Sequence, residues 1–324
     1  MTAVTPRFPL GFLLFCLILS GCMPYIQDRQ QKQSSAILLD DRFVASDGEI
    51  LPLTLWASPK PPIAIILAIH GFNDYRNAFA GVGAFLAAQG INVYAYDQRG
   101  FGATQRRGLW PGADTLRSDI HEVVEALRKK HPGVPVYLLG DSMGGAVVIT
   151  AVAAADSPAV DGVILNAPAV WGGQTFSLFY RVSLWTMAHT LPWMTVGKSG
   201  VSMVLTDNQA LIAQLRVDPW MIRETRVDVL YGLVRLMDEA LEKASQFKEK
   251  TLLLYGLRDQ LIPKVSICKI AAAMLQPATT LFYPNGYHLL LRDLQAPKVW
   301  SDINNWIRVP LAHSTSLPPE CGGG

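Results

Sequence analysis

The stretch Pro135-Val136-Tyr137-Leu138-Leu139-Gly140-Asp141-Ser142-Met143-Gly144-Gly145, followed by Ala146-Val147-Val148-Ile149-Thr150-Ala151, decides how the rest of the chain is read. An apolar run of strand length meets a Gly-x-Ser-x-Gly turn, and small and aliphatic residues of helical character follow. The pattern predicts a buried strand, a sharp turn and a closely packed helix. Such a turn strains the backbone of Ser142 and lifts its Oγ above the sheet as a nucleophile. Gly140 and Gly144 leave room where a Cβ would collide with neighbouring strand and helix. The helix behind the serine aims its free N–H groups, that of Met143 first, at any oxyanion formed there. The pentapeptide alone recurs by chance; its strand-and-helix setting gives it meaning.

Outward from this turn, strands and helices alternate. Ile63–Ile69 is continuously apolar, as a strand buried on both faces requires. It runs into His70-Gly71-Phe72, where a loop can bring a second backbone N–H, that of Phe72, to the oxyanion. Arg42–Ser46 and Ile50–Trp56 flank Asp47-Gly48 and read as a hairpin at the antiparallel edge of the sheet. A helix over 77–89, a strand over Ile91–Tyr96 and a helix over 114–130 precede the central strand. Asp97-Gln98-Arg99-Gly100-Phe101-Gly102 is read as a loop that orders a strand end. Further strands are expected at 160–165, 251–255 and 279–283, with a closing helix over 297–307. The whole is an α/β chain with a mostly parallel, doubly wound sheet, whose reactive groups belong at the carboxyl ends of strands.

Residues 169–245 break the alternation. They hold Trp171, Phe176, Phe179, Trp185, Met187, Trp193, Met194, Met203 and Trp220 between two core strands. The segment reads as a helical cap whose aromatic and methionine residues pack on the core or line an acyl pocket. The core is thus expected in two pieces, 41–168 and 246–309.

Of six histidines, only His288 follows the last strand directly; His313 falls in the tail. Asp259 follows the strand before it, so the order Ser142, Asp259, His288 places one reactive group at each of three strand ends. A serine hydroxyl needs a base to take its proton; His288 would serve, oriented by Asp259. Asp293 is nearer to His288 in sequence but falls in the following segment.

Composition excludes several classes. A net charge of +2 in 324 residues, without a basic run, argues against nucleic acid as a partner. No metal-ligand spacing occurs, and neither metal nor cofactor is called for. Half of the residues are hydrophobic, and the mean hydropathy is +0.22. Part of that excess lies at the amino terminus, where Arg7 precedes the apolar run Phe8–Leu19. The run is short of the about 20 residues that cross a bilayer. It ends Leu19-Ser20-Gly21-Cys22, which resembles the lipobox of bacterial lipoproteins. That resemblance implies removal of residues 1–21, lipidation of Cys22 and a lipid-anchored place in a bacterial cell envelope. Met23, where an aspartate would mark inner-membrane retention, favours the outer membrane. Residues 22–40, rich in Gln and Ser, read as a tether, and 310–324 as a disordered tail. Cys268 is read as a small core residue; whether it pairs with Cys321 is left open.

From Phe43 to Arg308 the chain resembles α/β-hydrolases of the monoacylglycerol lipase and lysophospholipase type, within the serine aminopeptidase-like hydrolases. The resemblance rests on His70-Gly71-Phe72, Asp97–Gly102, Gly140–Gly145, Gly256-Leu257-Arg258-Asp259 with Pro263, and His288. It implies an α/β-hydrolase fold with an inserted cap. It also implies a serine hydrolase that cleaves a single-chain lipid ester, monoacylglycerol or lysophospholipid, through an acyl-serine. Two alternatives stay open. One is a general carboxylesterase or aminopeptidase-like hydrolase, whose cap would hold a substrate amine on acids such as Asp207, Asp218, Glu224 and Asp228. The other is a non-catalytic envelope lipoprotein that keeps a hydrolase fold.

Overall fold

The computed structural model describes residues 23–171, 176–197, 203–246, 248–274, 278–309 and 319–321. The leader with Cys22 and most of the tail lie outside these.

Five strands are buried along their whole length: β4 (Ala64–Ile69), β5 (Ile91–Tyr96), β6 (Val136–Asp141), β7 (Gly162–Asn166) and β10 (Thr251–Gly256). The last core strand, β11, is Thr279–Tyr283. With β1 (Ile37–Leu38), β2 (Arg42–Val44) and β3 (Ile50–Trp56) they form one sheet, ordered β1-β2-β3-β5-β4-β6-β7-β10-β11. From β5 onward neighbours are parallel; β1, β2 and β3 add the antiparallel edge that the Asp47-Gly48 turn implies. Side chains alternate between two cores: Ile65, Leu67 and Ile69 enter one, Ala64, Ile66 and Ala68 the other. That is the period of two that a strand buried on both faces must satisfy.

Among the described residues five helices cover the core: α1 (Ala80–Ala88), α2 (Ala113–Lys130), α3 (Met143–Val152) and, after the cap, α7 (Lys264–Ala273) and α8 (Ala296–Arg308), with a 3-10 turn at Arg76–Phe79 leading into α1. From β4 the chain crosses to β5 on one side and then returns past β4 to β6. The crevice at the carboxyl ends of β4 and β6 is therefore a topological switch point, where open α/β sheets place their ligands. His70-Gly71-Phe72 leaves one strand there and Ser142 the other, with Ile69 paired to Gly140.

Between β7 and β10 lie α4 (Leu178–Thr190), α5 (Gln209–Val217), α6 (Val227–Lys243) and a short antiparallel pair, β8 (Thr195–Val196) with β9 (Thr225–Arg226). None of these strands joins the main sheet among the described residues. The inserted segment lies over the strand ends: Ile222 N donates to Asn73 O at 3.1 Å, and Leu289 N donates to Leu205 O at 2.9 Å.

The edge hairpin is locked by a buried cation. The Arg99 guanidinium donates to both oxygens of Asp47 (2.7 and 2.9 Å) and both of Asp119 (2.8 and 2.8 Å). Two forked pairs thus tie the hairpin turn, the loop after β5 and α2 together. Asp97 works beside it, accepting from Arg76 N at 2.9 Å and Ala103 N at 2.8 Å. The Asp97–Gly102 loop orders the strand end as the sequence implies.

Three expectations need correction. The expected tether is a docked strap: Gln27 is buried, its N donates to Trp110 O (2.9 Å) and its Nε2 to Leu109 O (2.6 Å). Arg29 pairs with Glu122 at 2.7 Å, and Gln33 N donates to Ser46 O at 2.8 Å. Polar composition signalled a solvated linker, but these amides and cations meet backbone carbonyls and a carboxylate. The aromatic residues of the cap are also not mainly packing: Phe179, Trp185, Trp193 and Trp220 are exposed, and Ala188 alone is buried in α4. Finally, Cys268 is half-buried and bonded to Cys321, 53 residues on. The tail segment 319–321 is thereby fastened to α7.

Closing a loop of that length restricts the unfolded chain, so Cys321→Ser is expected to lower unfolding free energy by about 2–4 kcal/mol. Urea titration should show the native protein falling to the level of the variant on reduction, with the variant unaffected by reductant. Equal stability of both proteins under oxidising conditions would remove the disulfide from the account.

Candidate active site

β6 runs straight into the nucleophile, and the geometry of the turn follows from close packing. Ser142 has φ +51° and ψ −115°, a conformation that L-residues with side chains rarely adopt. Three bonds hold it there: its N donates to Asn166 O at 2.9 Å, and its carbonyl accepts from Gly145 N and Ala169 N, each at 2.9 Å. Gly144 has no alternative, since a Cβ would stand 1.9 Å from the Ile69 carbonyl oxygen; at Gly140 it would stand 2.6 Å from Gly145 Cα. The glycines of the motif therefore let helix and strands close on the serine, as the sequence implies.

The loops after β10 and β11 are sewn together before they deliver their side chains. Leu257 N donates to Tyr283 O and Arg258 N to Gly286 O, each at 2.9 Å, and Tyr255 Oη donates to Ile262 O at 2.6 Å. Asp259 and His288 emerge from these loops, both buried at the side chain. His288 Nδ1 lies 2.8 Å from Asp259 Oδ2, and its Nε2 lies 3.0 Å from Ser142 Oγ. A carboxylate can only accept, so the proton sits on Nδ1 and Nε2 is left to accept from the serine hydroxyl. The second oxygen of Asp259 accepts from Leu261 N (2.7 Å) and Ile262 N (3.0 Å), which fixes the carboxylate plane. The three residues singled out in the sequence thus meet in one relay, although 146 positions separate Ser142 from His288.

The loop after β4 reaches the same place. A Cβ on Gly71 would be 3.4 Å from Ser142 Cβ, so the backbone that leads into Phe72 passes beside the nucleophile. His70 holds this loop from behind. Its Nδ1 donates to Gly71 O (2.8 Å), and its Nε2 accepts from Gln98 N (3.0 Å), while Gln98 Nε2 donates to His70 O (2.8 Å). Full burial pushes the imidazole below its ordinary pKa, which keeps it neutral and suits one donor and one acceptor nitrogen. Met143 thus opens α3 directly after Ser142, and the backbone leading into Phe72 passes beside the same residue.

Sequence reasoning missed a second layer. Arg292, four residues after His288, pairs with Asp74, three residues after Gly71; Asp74 is buried and Arg292 is mostly covered. This bond joins the histidine loop to the loop that carries Phe72. Asp141 lies close by; burial raises its pKa, opposed by the charge of Arg292 and by Asn166 Nδ2, which donates to Oδ1 at 2.6 Å. Nothing local in the sequence marks Asp74 and Arg292 as partners, 218 positions apart.

Asp293, weighed above as an alternative acid, is placed on the backbone instead. It accepts from Tyr287 N at 2.9 Å and Gln295 N at 2.7 Å, and so braces the turn that presents His288. Burial pushes its pKa up to about 6 from an ordinary 3.8. A carboxyl with a raised folded-state pKa favours folding at low pH, and this contribution fades as pH rises through about 6. Asp293→Asn should therefore gain urea resistance relative to the native protein between pH 4 and pH 7, apart from any pH-independent offset. Parallel pH profiles for the two proteins would show that Asp293 titrates normally.

Comparison with known proteins agrees with this geometry. A family model described as "Serine aminopeptidase, S33" matches residues 60–295. Human (Homo sapiens) monoglyceride lipase is 28% identical over 288 residues, covering 85% of this chain and 93% of the relative. The monoacylglycerol lipase of Mycolicibacterium smegmatis is 24% identical over 278 residues, 82% of this chain and 95% of the relative. A solved soluble variant of monoglyceride lipase from Saccharomyces cerevisiae has the same fold, with a TM-score of 0.69 over 91% of this chain and 99% of that one, at 19% identity. The family match spans well over half of the chain and includes the nucleophile turn, the acid and the histidine: the protein belongs to the serine aminopeptidase S33 family and has the α/β-hydrolase fold.

Proposed function

We propose that this protein is a membrane-anchored serine hydrolase that cleaves a single-chain lipid ester, monoacylglycerol or lysophospholipid, through an acyl-serine intermediate. The observation that carries the reading is the unbroken relay Asp259–His288–Ser142, with bonds of 2.8 and 3.0 Å, at the start of a buried helix.

Each residue has one task. As Ser142 Oγ attacks the ester carbonyl, His288 Nε2 takes its proton, and the imidazolium is stabilised and held in place by Asp259. Negative charge gathers on the former carbonyl oxygen, where the N–H groups of Met143 and Phe72 are placed to donate; one such donor is worth about 2.7–4 kcal/mol of barrier. Collapse of this intermediate expels the alcohol, protonated by His288, and leaves an acyl group on Ser142. Water, deprotonated by the same imidazole, then attacks the acyl-serine; the acyl–Oγ bond breaks, the imidazolium returns its proton to Ser142 Oγ, and the fatty acid leaves. All of these steps use side chains and backbone of this chain.

Two observations favour a lipid ester over a peptide. The relatives reported above are named for monoglyceride or monoacylglycerol hydrolysis. The cap acids that could hold an amine are also engaged elsewhere. Asp218 accepts from Tyr75 Oη at 2.7 Å and from Trp220 N at 2.9 Å; Asp228 pairs with Arg226; Asp207 accepts from Leu294 N at 2.9 Å. Glu224 is left exposed and alone among the four in having no such bond described.

The anchor rests on the sequence Leu19-Ser20-Gly21-Cys22. The Cys268–Cys321 disulfide supports an oxidising compartment such as the bacterial envelope, since such bonds are rare in reducing cytosol.

The test is hydrolysis of monoacylglycerol, lysophosphatidylcholine and an aminoacyl amide side by side. A rate on one of the two lipids is expected, with Ser142→Ala folded normally and slower by about 10⁴-fold or more. Asp259→Asn should lose a comparable factor, on the order of 10⁴ in kcat, through the wrong histidine tautomer. Preference for the amide would overturn the lipid reading, and activity retained by Ser142→Ala would overturn the mechanism.

A further inference from the structure

The loop that carries Phe72 is held from two sides, and only one of them belongs to the core. On the core side His70 donates to Gly71 O and exchanges bonds with Gln98. On the other side the chain turns at Asn73, whose φ of +61° is a left-handed value. Among the described residues the non-glycine positions with positive φ are Asn73, Ser142 and Ala167. The other two are the nucleophile and the residue after Asn166, which accepts from Ser142 N. Asparagine tolerates this region better than most residues, yet the turn still needs partners to hold it.

The bonds that hold Asn73 come from the inserted segment. Its carbonyl accepts from Ile222 N at 3.1 Å, and its Nδ2 donates to Thr225 Oγ1 at 2.8 Å, 152 positions away. Just beyond, Tyr75 Oη donates to Asp218 Oδ2 at 2.7 Å. Residues 218–225 thus grip the loop at 73 and at 75. That stretch is itself fixed from behind: Arg107 donates to Pro219 O at 2.8 Å, and its guanidinium lies 5.7 Å from the centre of the Trp220 ring. Thr225 is buried, and Asn73 Oδ1 is buried with no partner among the described residues. An amide oxygen left unpaired away from water lowers stability. Packing therefore does not account for an asparagine here, whereas the turn and the bond to Thr225 do.

We propose that Asn73 is a positioning residue for the oxyanion, and that the inserted segment holds it in place through Thr225. Gly71 and Asn73 set between them the direction of the Phe72 N–H; the core fixes the first and the cap fixes the second. The inference rests on the assignment of the Phe72 N–H to the oxyanion in the reading above. Its consequence is that the cap does more than overlie the crevice, because it aims the second oxyanion donor. The contribution is made in the transition state, where charge reaches the carbonyl oxygen, and is the same for every ester whatever its chain length.

Steady-state kinetics of the full-length protein on p-nitrophenyl butyrate and on monoacylglycerol test this. Thr225→Val keeps the shape of the side chain and removes the acceptor, without touching the loop or the relay. It is expected to lower kcat on both esters by the same factor, on the order of 10-fold, with KM unchanged; losing a whole donor costs about 10²–10³. Thr225→Ser, which keeps the hydroxyl, should restore most of the rate. The preference for p-nitrophenyl butyrate over its thionoester, whose sulfur accepts hydrogen bonds poorly, should narrow in Thr225→Val. Asn73→Gly adopts a positive φ freely and breaks the same bond from the other side, so it carries the test should the valine variant fail to fold. Where both fold, the double variant should lose no more than Asn73→Gly alone. Native kcat in folded Thr225→Val would overturn the proposal. So would a raised KM confined to monoacylglycerol, which marks a residue that only lines the path of the lipid. An unaltered thionoester preference, or an equal loss in Thr225→Ser, would also overturn it. Ser142→Ala in the same assays separates the two readings: activity that survives it sinks the catalytic one, whereas Ser142-dependent activity that Thr225→Val leaves intact sinks the positioning role alone.

Discussion

The left-handed backbone of Ser142 is the constraint on which the molecule depends. A side chain held at φ +51° is strained, and it stays there because the surroundings leave no other path. The ladder from β6 to β7 extends through Ser142 N, α3 begins at once behind it, and Gly144 lets the Ile69 carbonyl come closer than any Cβ would permit. Closing β4 onto this turn brings Gly71 to the serine, and the sewn loops after β10 and β11 bring Asp259 and His288. One local strain, imposed by packing, therefore sets the position of every reacting group.

Around that turn, polar groups are buried in matched sets rather than singly. His70 and Gln98 exchange bonds with each other's backbone behind the Phe72 loop. Arg99 satisfies two carboxylates at the hairpin edge, and Arg292 with Asp74 joins the two loops that flank the relay. Removing one member of such a pair strands its partner away from water, which costs more than the pair contributes net. These ties account for how loops, which lack a ladder of their own, hold groups to within hydrogen-bond distance.

The sequence made the core legible because its signals are local. Continuous apolar runs predicted strands buried on both faces, the Asp47-Gly48 turn predicted the edge hairpin, and strand ends located Ser142, Asp259 and His288. The approach of the His70-Gly71-Phe72 loop to the serine was legible for the same reason. What escaped depends on contacts far apart in the chain. Arg292 has no partner within its own segment. Gln27 and Arg29 look like linker residues until Trp110, Leu109 and Glu122 are brought to them. Cys268 looked like a core residue until Cys321 reached it. The cap shows the limit of composition: Phe179 and Trp185 announced apolar surface correctly, but not which way it faced.

The relay alone does not distinguish a soluble ester from a lipid, but it does name the atom that reacts. The central claim is that Ser142 itself carries the acyl group. Acid quench of the enzyme during turnover of p-nitrophenyl palmitate, followed by peptide mass analysis, measures this directly. The account predicts a palmitoyl mass on the peptide containing Ser142 and none in Ser142→Ala. Steady hydrolysis with no acylated peptide, or with the acyl group on another residue, would contradict it.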